Sequence, residues 1–149
     1  SKAKYRKSKQ ARDGGQFAAI PHDVLNSRAY LSLGAYAVKL LFDLVVQFRG
    51  TNNGDLCASF SVMVGRGWKS KETLHNAKKQ LLESGLVVET RKGMRPNKAS
   101  LYAVTWHPLN ECKGKLDMPI QSFPRGAYKR FEPKISPLKN TALSTVIER

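Results

Sequence analysis

The sequence has little of what disulfide-rich, membrane or secreted proteins contain. Its two cysteines, Cys57 and Cys112, stand far apart without a CxxC spacing, so neither a disulfide framework nor a zinc site is indicated. The longest apolar run, around Val45 and Val46, is interrupted by polar residues and is too short to span a bilayer. No apolar segment follows the basic N-terminus, as a secretory signal requires. These absences predict a protein of the bacterial cytoplasm with no membrane partner.

Sequence signals of catalysis are also missing. The three histidines, His22, His75 and His107, fall on separate predicted elements, and none has a second ligand at a metal-binding spacing. No GxxxxGK[ST] phosphate loop occurs, and no acidic pair, such as Asp23 with Asp43, is placed as a nuclease metal site requires. We therefore expect a non-enzyme with no catalytic residues, no metal and no cofactor.

Positive charge is what the chain has in excess. Twenty-six Lys and Arg against 11 Asp and Glu give a net charge of +15 over 149 residues. Residues 1–16 carry +5, residues 66–98 carry +6 and residues 107–149 carry +4, whereas the segments between them are neutral. A charge that served only solubility would not spare the middle of the chain, but a surface that binds a polyanion would. Nucleic acid is the predicted partner of this basic protein.

Composition divides the chain into three regions. Residues 1–16 contain no aliphatic residue larger than alanine and end in a Gly-Gly pair, which predicts a flexible basic arm. Residues 17–106 carry the helix and strand patterns of one domain. Residues 107–149 are rich in proline, which predicts an irregular basic tail. Its aromatic residues either stack on bases or dock the tail on the domain, and we favour partial docking.

Two helices are predicted in the first half of the domain. Residues 21–25 read as a single helical turn that stops at Asn26. The first long helix is expected to begin after Ser32 as its N-cap, with a polar stripe that includes Asp43. Its core-facing positions, at three- and four-residue spacing, are Leu33, Ala37, Leu40, Leu41, Leu44 and Phe48.

A short strand at 56–58 and a sharply bent helix pair are predicted next. Ser59 is expected to cap a brief helix that turns Phe60, Met63 and Val64 inward, and two glycines, Gly65 and Gly67, end it. The following helix runs from about Ser70 to Ser84, with Gly85 as its C-cap. Its predicted buried stripe consists of Leu74, Ala77, Leu81 and Leu82.

Two strands, at 86–91 and 101–106, enclose the basic loop 92–98. The order of helix, strand, helix, tight turn, helix and hairpin predicts an α+β fold, a winged helix-turn-helix with a three-helix core, a small antiparallel sheet and a basic wing. A fold of this shape fits double-stranded DNA. We refer to residues 92–98 as the wing.

The predicted contacts with DNA fall into three sets. The exposed face of the last helix offers donors and acceptors for base edges, with side-chain amides as the best candidates because they pair with adenine through two hydrogen bonds: Thr73, His75, Asn76 and Gln80. Backbone phosphates are expected to meet the start of this helix and the wing, at Trp68, Lys69, Ser70, Lys71, Lys79, Arg91, Lys92, Arg95, Asn97 and Lys98. The N-terminal arm is expected to follow the DNA backbone or a minor groove through Lys2, Lys4, Arg6, Lys7, Lys9 and Arg12.

The first long helix has more apolar surface than one neighbour needs. Val38, Phe42 and Val46 extend its apolar face around the side. Either the C-terminal tail covers this surface or a second copy of the chain does, so a homodimer through this helix or through the tail stays open.

The residues of several of these elements resemble one family. Phe17-Ala-Ala-Ile-Pro-His-Asp-Val-Leu, Asn52-Asn53-Gly54, Gly67-Trp68-Lys69-Ser70 and the wing followed by Ala99 are similar to small winged-helix proteins of phages, plasmids and integrated elements. These proteins are similar to the DNA-binding domains of replication initiators. The likeness covers roughly residues 17–106 and implies DNA binding by the helix from Ser70 and by the wing.

Three functions are consistent with the sequence. The first is a sequence-preferring transcriptional regulator of a mobile genetic element, associated with the nucleoid. The second is a DNA replication or partition factor that marks an origin and recruits a host replication or transcription protein. The third is a structural RNA-binding or ribosome-associated protein, which the high pI and the aromatic-basic tail favour. The wing counts against the third, because the major groove of RNA is too narrow for a helix.

Overall fold

Two long helices and a three-stranded antiparallel sheet enclose the core of this α+β chain. The computed structural model describes residues 13–133. The helices are α1 (His22–Leu25), α2 (Arg28–Leu31), α3 (Ala35–Val45), α4 (Phe60–Val64) and α5 (Lys71–Ser84), and the strands are β1 (Leu56–Cys57), β2 (Val87–Arg91) and β3 (Leu101–Val104). β3 lies between the other two strands, giving the order β1-β3-β2. In the described part of the chain no helix is long and apolar enough to cross a membrane.

The core forms where α3 packs against α5 and α5 packs against β2. Leucines at helical spacing supply most of its volume, because positions three and four apart share one face of a helix. Leu40, Leu41, Leu44, Leu74 and Leu81 are all at most 2% exposed. Burial of a leucine side chain contributes about 1.5–3 kcal/mol to the free energy of folding, so these leucines stabilise the contact between the two helices.

The start of α3 differs from the prediction. Ser32 does not cap the long helix; it follows the extra helix α2, and its hydroxyl donates to Ala29 O at 2.8 Å. α3 instead begins after Gly34. The apolar spacing carried no signal for α2, because a four-residue helix is too short to show a period.

Three predicted orientations are also wrong. Asp43, expected on the polar stripe of α3, is 4% exposed, whereas Val64 and Leu82, expected in the core, are 52% and 39% exposed. α4 is only five residues long, so it buries Met63 and leaves Val64 on the far side. α5 buries the small Ser84 in its last turn and leaves Leu82 partly exposed at the edge of the core.

Asn53 is a fully buried polar residue that joins the loop before β1 to the end of β3. Its side-chain amide donates to Val104 O and to Pro108 O, both at 3.0 Å, and its Oδ1 accepts from Val104 N at 2.9 Å. These bonds supply partners for backbone groups of Val104 and Pro108 beyond the β1–β3 pairing, because a buried backbone group needs a partner.

Residues 107–133 form three short 3-10 turns, Cys112–Gly114, Ile120–Ser122 and Ala127–Arg130. The last of them lies against the end of α5: Tyr128 is 6% exposed within the core, and Gly126 N donates to Thr105 O at 2.7 Å. A side chain at Gly85 would come within 2.9 Å of the backbone of Ala127, so this close approach requires glycine. The rest of the predicted tail, residues 134–149, lies outside the described residues.

Candidate nucleic-acid interface

The outer side of α5 is the centre of the candidate interface. Ser70 caps this 14-residue helix by accepting from Thr73 N at 3.2 Å, and Gly85 ends it in the left-handed conformation. Because Leu74 and Leu81 face the core, the side chains on the opposite side of the helix point to solvent. Of the predicted base-reading residues, His75 and Asn76 are exposed there, beside the predicted phosphate contact Lys79.

Thr73 and Gln80 lie on the flank of α5 that faces α3 and are poorer candidates for reading bases. Thr73 is half-buried and lines a cleft with Tyr36 and Lys39. The Gln80 amide oxygen accepts from Gly34 N at 3.0 Å, at the start of α3. Pairing with adenine through two bonds needs both the oxygen and the nitrogen of the amide. The bond from Gly34 N therefore competes with this pairing, and Gln80 stays a weaker candidate for reading adenine than Asn76.

The turn before α5 presents Lys69, Ser70 and Lys71, all exposed. The first amides of a helix have no partner within the helix, and the helix dipole favours an anion at this end. The Lys71 amine lies 5.6 Å from the centre of the Phe60 ring, which places the end of this side chain beside α4. These three residues are therefore placed as phosphate contacts require.

Trp68 does not fit the phosphate-binding role predicted for it. Its side chain is 4% exposed, its indole Nε1 donates to Asp43 Oδ2 at 2.8 Å, and its backbone N–H donates to Met63 O at 3.1 Å. Both donors of Trp68 are thus used inside the domain. The residue holds the turn against α3, because a buried indole N–H needs an acceptor.

Asp43 is the acceptor around which this turn is assembled. Lys39 Nζ donates to its Oδ2 and Arg66 Nε to its Oδ1, each at 3.1 Å, and Lys39 Nζ also donates to Arg66 O at 2.8 Å. Burial alone would raise the pKa of Asp43, but the hydrogen bonds from Trp68, Lys39 and Arg66 outweigh it and hold the pKa below the ordinary aspartate value. Arg66 therefore has a structural partner, although its position in a basic turn suggests a phosphate contact.

The wing is a narrow hairpin tip with exposed basic side chains. Met94 and Lys98 exchange backbone hydrogen bonds of 2.8 and 2.9 Å across a three-residue turn that contains the cis Arg95–Pro96 peptide bond. Lys92, Arg95, Asn97 and Lys98 are exposed, as phosphate contacts require. Arg91 is half-buried and donates from Nε and Nη2 to Ala99 O at 3.2 and 2.7 Å, so two of its N–H donors serve the hairpin.

Charge is unevenly distributed over the candidate interface. The outer side of α5 also carries Glu72 and Glu83, two exposed carboxylates that repel phosphates. Of the lysines on this helix, Lys78 is half-buried, and burial lowers its pKa. The exposed cations without an adjacent carboxylate in sequence are Lys69, Lys79 and those of the wing. This pattern suits phosphate contacts at the two ends and a mixed polar surface between them.

The histidines and acidic residues do not form a metal site in the part of the chain that the structure describes. No three His, Cys, Asp or Glu side chains come together there as a metal requires. His107 stacks on Phe48 with ring centres 4.5 Å apart, and burial, assisted by nearby Arg125, lowers its pKa. His107 is therefore a packing residue. The arm residues Lys2, Lys4, Arg6, Lys7, Lys9 and Arg12 lie outside the described residues.

Comparison of the chain with protein-family models, curated proteins and solved structures found no match. The resemblance to winged-helix proteins of mobile elements stays a prediction from the residues quoted above.

Proposed function

We propose that the chain is a winged helix-turn-helix protein that binds double-stranded DNA and acts as a sequence-preferring transcriptional regulator of a mobile genetic element. One observation carries this proposal. α5 begins directly after a basic turn and presents His75, Asn76 and Lys79 to solvent, and the hairpin that follows it in sequence ends in a basic wing. A helix in the major groove with cations for the flanking phosphates has these parts.

The arrangement of elements supports the same proposal. The succession of α3, α4 and α5 and the sheet order β1-β3-β2 support a helix-turn-helix followed by a wing. The sharp turn between α4 and α5 contains Gly67 at φ +91°, a backbone conformation that other residues rarely adopt. The domain has the size of a single DNA-binding module and needs no catalytic residue for this role.

The alternative of RNA binding by the tail has less support. Stacking on bases requires free ring faces, but Tyr128 is buried in the core and Phe123 and Phe131 are half-buried.

The origin-marking alternative shares the duplex-binding surface with the regulator. A promoter reporter that carries the selected binding site separates these two, because a regulator changes the transcription of the reporter and an origin marker leaves it unchanged.

Selection of binding sites from random duplexes tests the proposal. The selected duplex is compared with nonspecific duplex and with structured RNA at physiological salt. We expect an enriched motif that binds about a thousandfold more tightly than nonspecific duplex. Equal affinity for all duplexes contradicts a sequence-preferring regulator, and tighter binding of RNA contradicts every DNA function.

A charge-matched pair of triple variants tests which surface binds. Lys92→Ala, Arg95→Ala and Lys98→Ala together should weaken binding to every duplex and flatten its salt dependence, by about 0.9 in log slope for each phosphate that is no longer neutralised. The control removes the same charge from exposed residues of the C-terminal segment: Lys113→Ala, Lys129→Ala and Arg130→Ala. Equal losses of affinity in the two variants would show that net charge alone drives binding.

A further inference from the structure

We infer that the segment 109–117 is a strut that positions the wing on DNA, with Asp117 as the positioning residue at its end. The inference rests on the proposed function, because it concerns how the proposed interface is assembled. It extends that function to a segment outside the helix-turn-helix and the wing. The strut connects the loop before β1 to the root of the wing.

The strut is bound to residues 53–55 at Asn110 and again at Lys115. Asn110 and Asn53 form two hydrogen bonds: Asn110 N donates to Asn53 O at 2.9 Å, and Asn53 N donates to Asn110 Oδ1 at 2.8 Å. Lys115 Nζ lies 2.9 Å from Asp55 Oδ2. Since Asn53 is itself fully buried, the bonds to it fix Asn110 against the core.

Leu109 and Leu116 pack the strut against the same loop. A β-carbon at Gly54 would lie 2.7 Å from Leu116 Cδ1 and 2.9 Å from Leu109 Cδ1, so the two leucines fill the space that a side chain would need. Gly54 has φ +123°, and its carbonyl accepts from Thr90 Oγ1 at 2.6 Å. Loop, strut and strand β2 are therefore in direct contact.

The other end of the strut holds the root of the wing. Asp117 N donates to Thr90 O at 2.9 Å, and Asp117 Oδ2 accepts from Lys92 N at 3.0 Å. Thr90 is the residue at which the register between β2 and β3 shifts, so regular strand pairing is interrupted there. Lys92 is the first residue of the wing, and its amide is bound by a side chain 25 positions further along the chain.

The sign of the charge on Asp117 supports a positioning role. An exposed carboxylate beside Lys92 opposes the approach of phosphates and so weakens binding by its charge. Asp117 instead supplies an acceptor for the backbone amide of Lys92, at the point where the pairing of β2 with β3 ends. A hairpin tip that is held at its root keeps its cations in register with the phosphates and loses less conformational entropy on binding.

Two substitutions of Asp117 separate the effect of its charge from the effect of its hydrogen bond to Lys92 N. Asp117→Ala and Asp117→Asn remove the same charge, but asparagine keeps an oxygen that accepts from Lys92 N. We expect Asp117→Asn to bind nonspecific duplex at least as tightly as the unmodified chain. Asp117→Ala should bind about three- to tenfold more weakly than Asp117→Asn, as the loss of one hydrogen bond predicts. Asp23→Ala, which removes an exposed carboxylate from α1, controls for charge alone.

Hydrogen exchange of the Lys92 amide in the free protein supplies a readout without DNA. Exchange should be faster in Asp117→Ala than in Asp117→Asn, while the amides of α3 exchange equally in both, which also shows that each variant is folded. Equal duplex affinities of the two variants, or equal exchange at Lys92, would overturn the inference and leave DNA binding intact. Absence of duplex binding by the unmodified chain would overturn the proposed function and the inference together.

Discussion

The turn before α5 and the wing both carry exposed cations, but different forces hold them in place. In the turn, the side chains of Arg66 and Trp68 meet Lys39 of α3 at the buried carboxylate of Asp43. In the wing, backbone hydrogen bonds across a narrow hairpin determine the shape, and the side chains point to solvent. The contacts of the turn therefore contribute to the stability of the whole domain. The shape of the wing depends on hydrogen bonds within the hairpin and at its root.

This difference separates two kinds of mutational effect. A change at the turn should unfold the domain or shift α5 as a whole, because the carboxylate joins α3 to the start of α5. A change in the wing should leave the free energy of unfolding nearly unchanged and act on duplex affinity. The substitutions below test this separation.

Asp43→Ala should have the largest effect. It removes the acceptor of the buried Trp68 indole N–H and the carboxylate partner of Lys39 and Arg66, which are both partly exposed and reach water. We expect a loss of roughly 2–3 kcal/mol in the free energy of unfolding, measured by denaturant titration. Asp43→Asn keeps an acceptor for the indole and should lose less. A change below about 0.5 kcal/mol in Asp43→Ala would show that the turn does not depend on this carboxylate.

The acid dependence of stability tests the same contact without removing it. Because the pKa of Asp43 is lower in the folded chain than in the unfolded one, ionised Asp43 stabilises the fold above the unfolded pKa. This contribution disappears as the pH falls through the folded pKa. The difference in unfolding free energy between the unmodified chain and Asp43→Asn should therefore be constant near neutral pH and shrink below about pH 4. A constant difference throughout the acid range would contradict this assignment.

A substitution at Gly93 tests whether duplex binding depends on the shape of the wing. A β-carbon there would lie 2.7 Å from both Lys98 O and Ser100 N, two backbone atoms that cannot move without opening the hairpin. Gly93→Ala should weaken duplex binding by about tenfold, or roughly 1.4 kcal/mol, because overpacking displaces the cations of the wing. Gly65→Ala is the matched control in the turn, since its nearest atom, Val62 O, lies at an ordinary 3.4 Å. Unchanged affinity in Gly93→Ala would show that the wing shape is not needed.

The sequence predicts an element accurately where the residues that determine it are close together in the chain. The bounds of α5 follow from the spacing of Leu74, Ala77 and Leu81 and from the caps Ser70 and Gly85, all within one helix. The burial of Asp43 could not be predicted in this way, because its indole partner lies 25 positions away and a carboxylate at helical spacing otherwise indicates a solvent-facing stripe. Contacts between side chains on different elements cannot be predicted from local spacing and are seen only in the folded structure.

Gln80 illustrates the same limit and gives the smallest expected effect. The helical period places Gln80 on the exposed side of α5 with Asn76, and only the packing of α3 shows that its amide oxygen accepts from Gly34 N. Gln80→Ala should cost about 0.5–1 kcal/mol in unfolding free energy, as an exposed hydrogen bond does, and should leave the selected DNA motif unchanged. Asn76→Ala should do the reverse, keeping the stability and relaxing the preference at one or two base pairs. A motif altered by Gln80→Ala but not by Asn76→Ala would place the DNA against the α3 flank of α5, and the proposed orientation of this helix in the groove would be wrong.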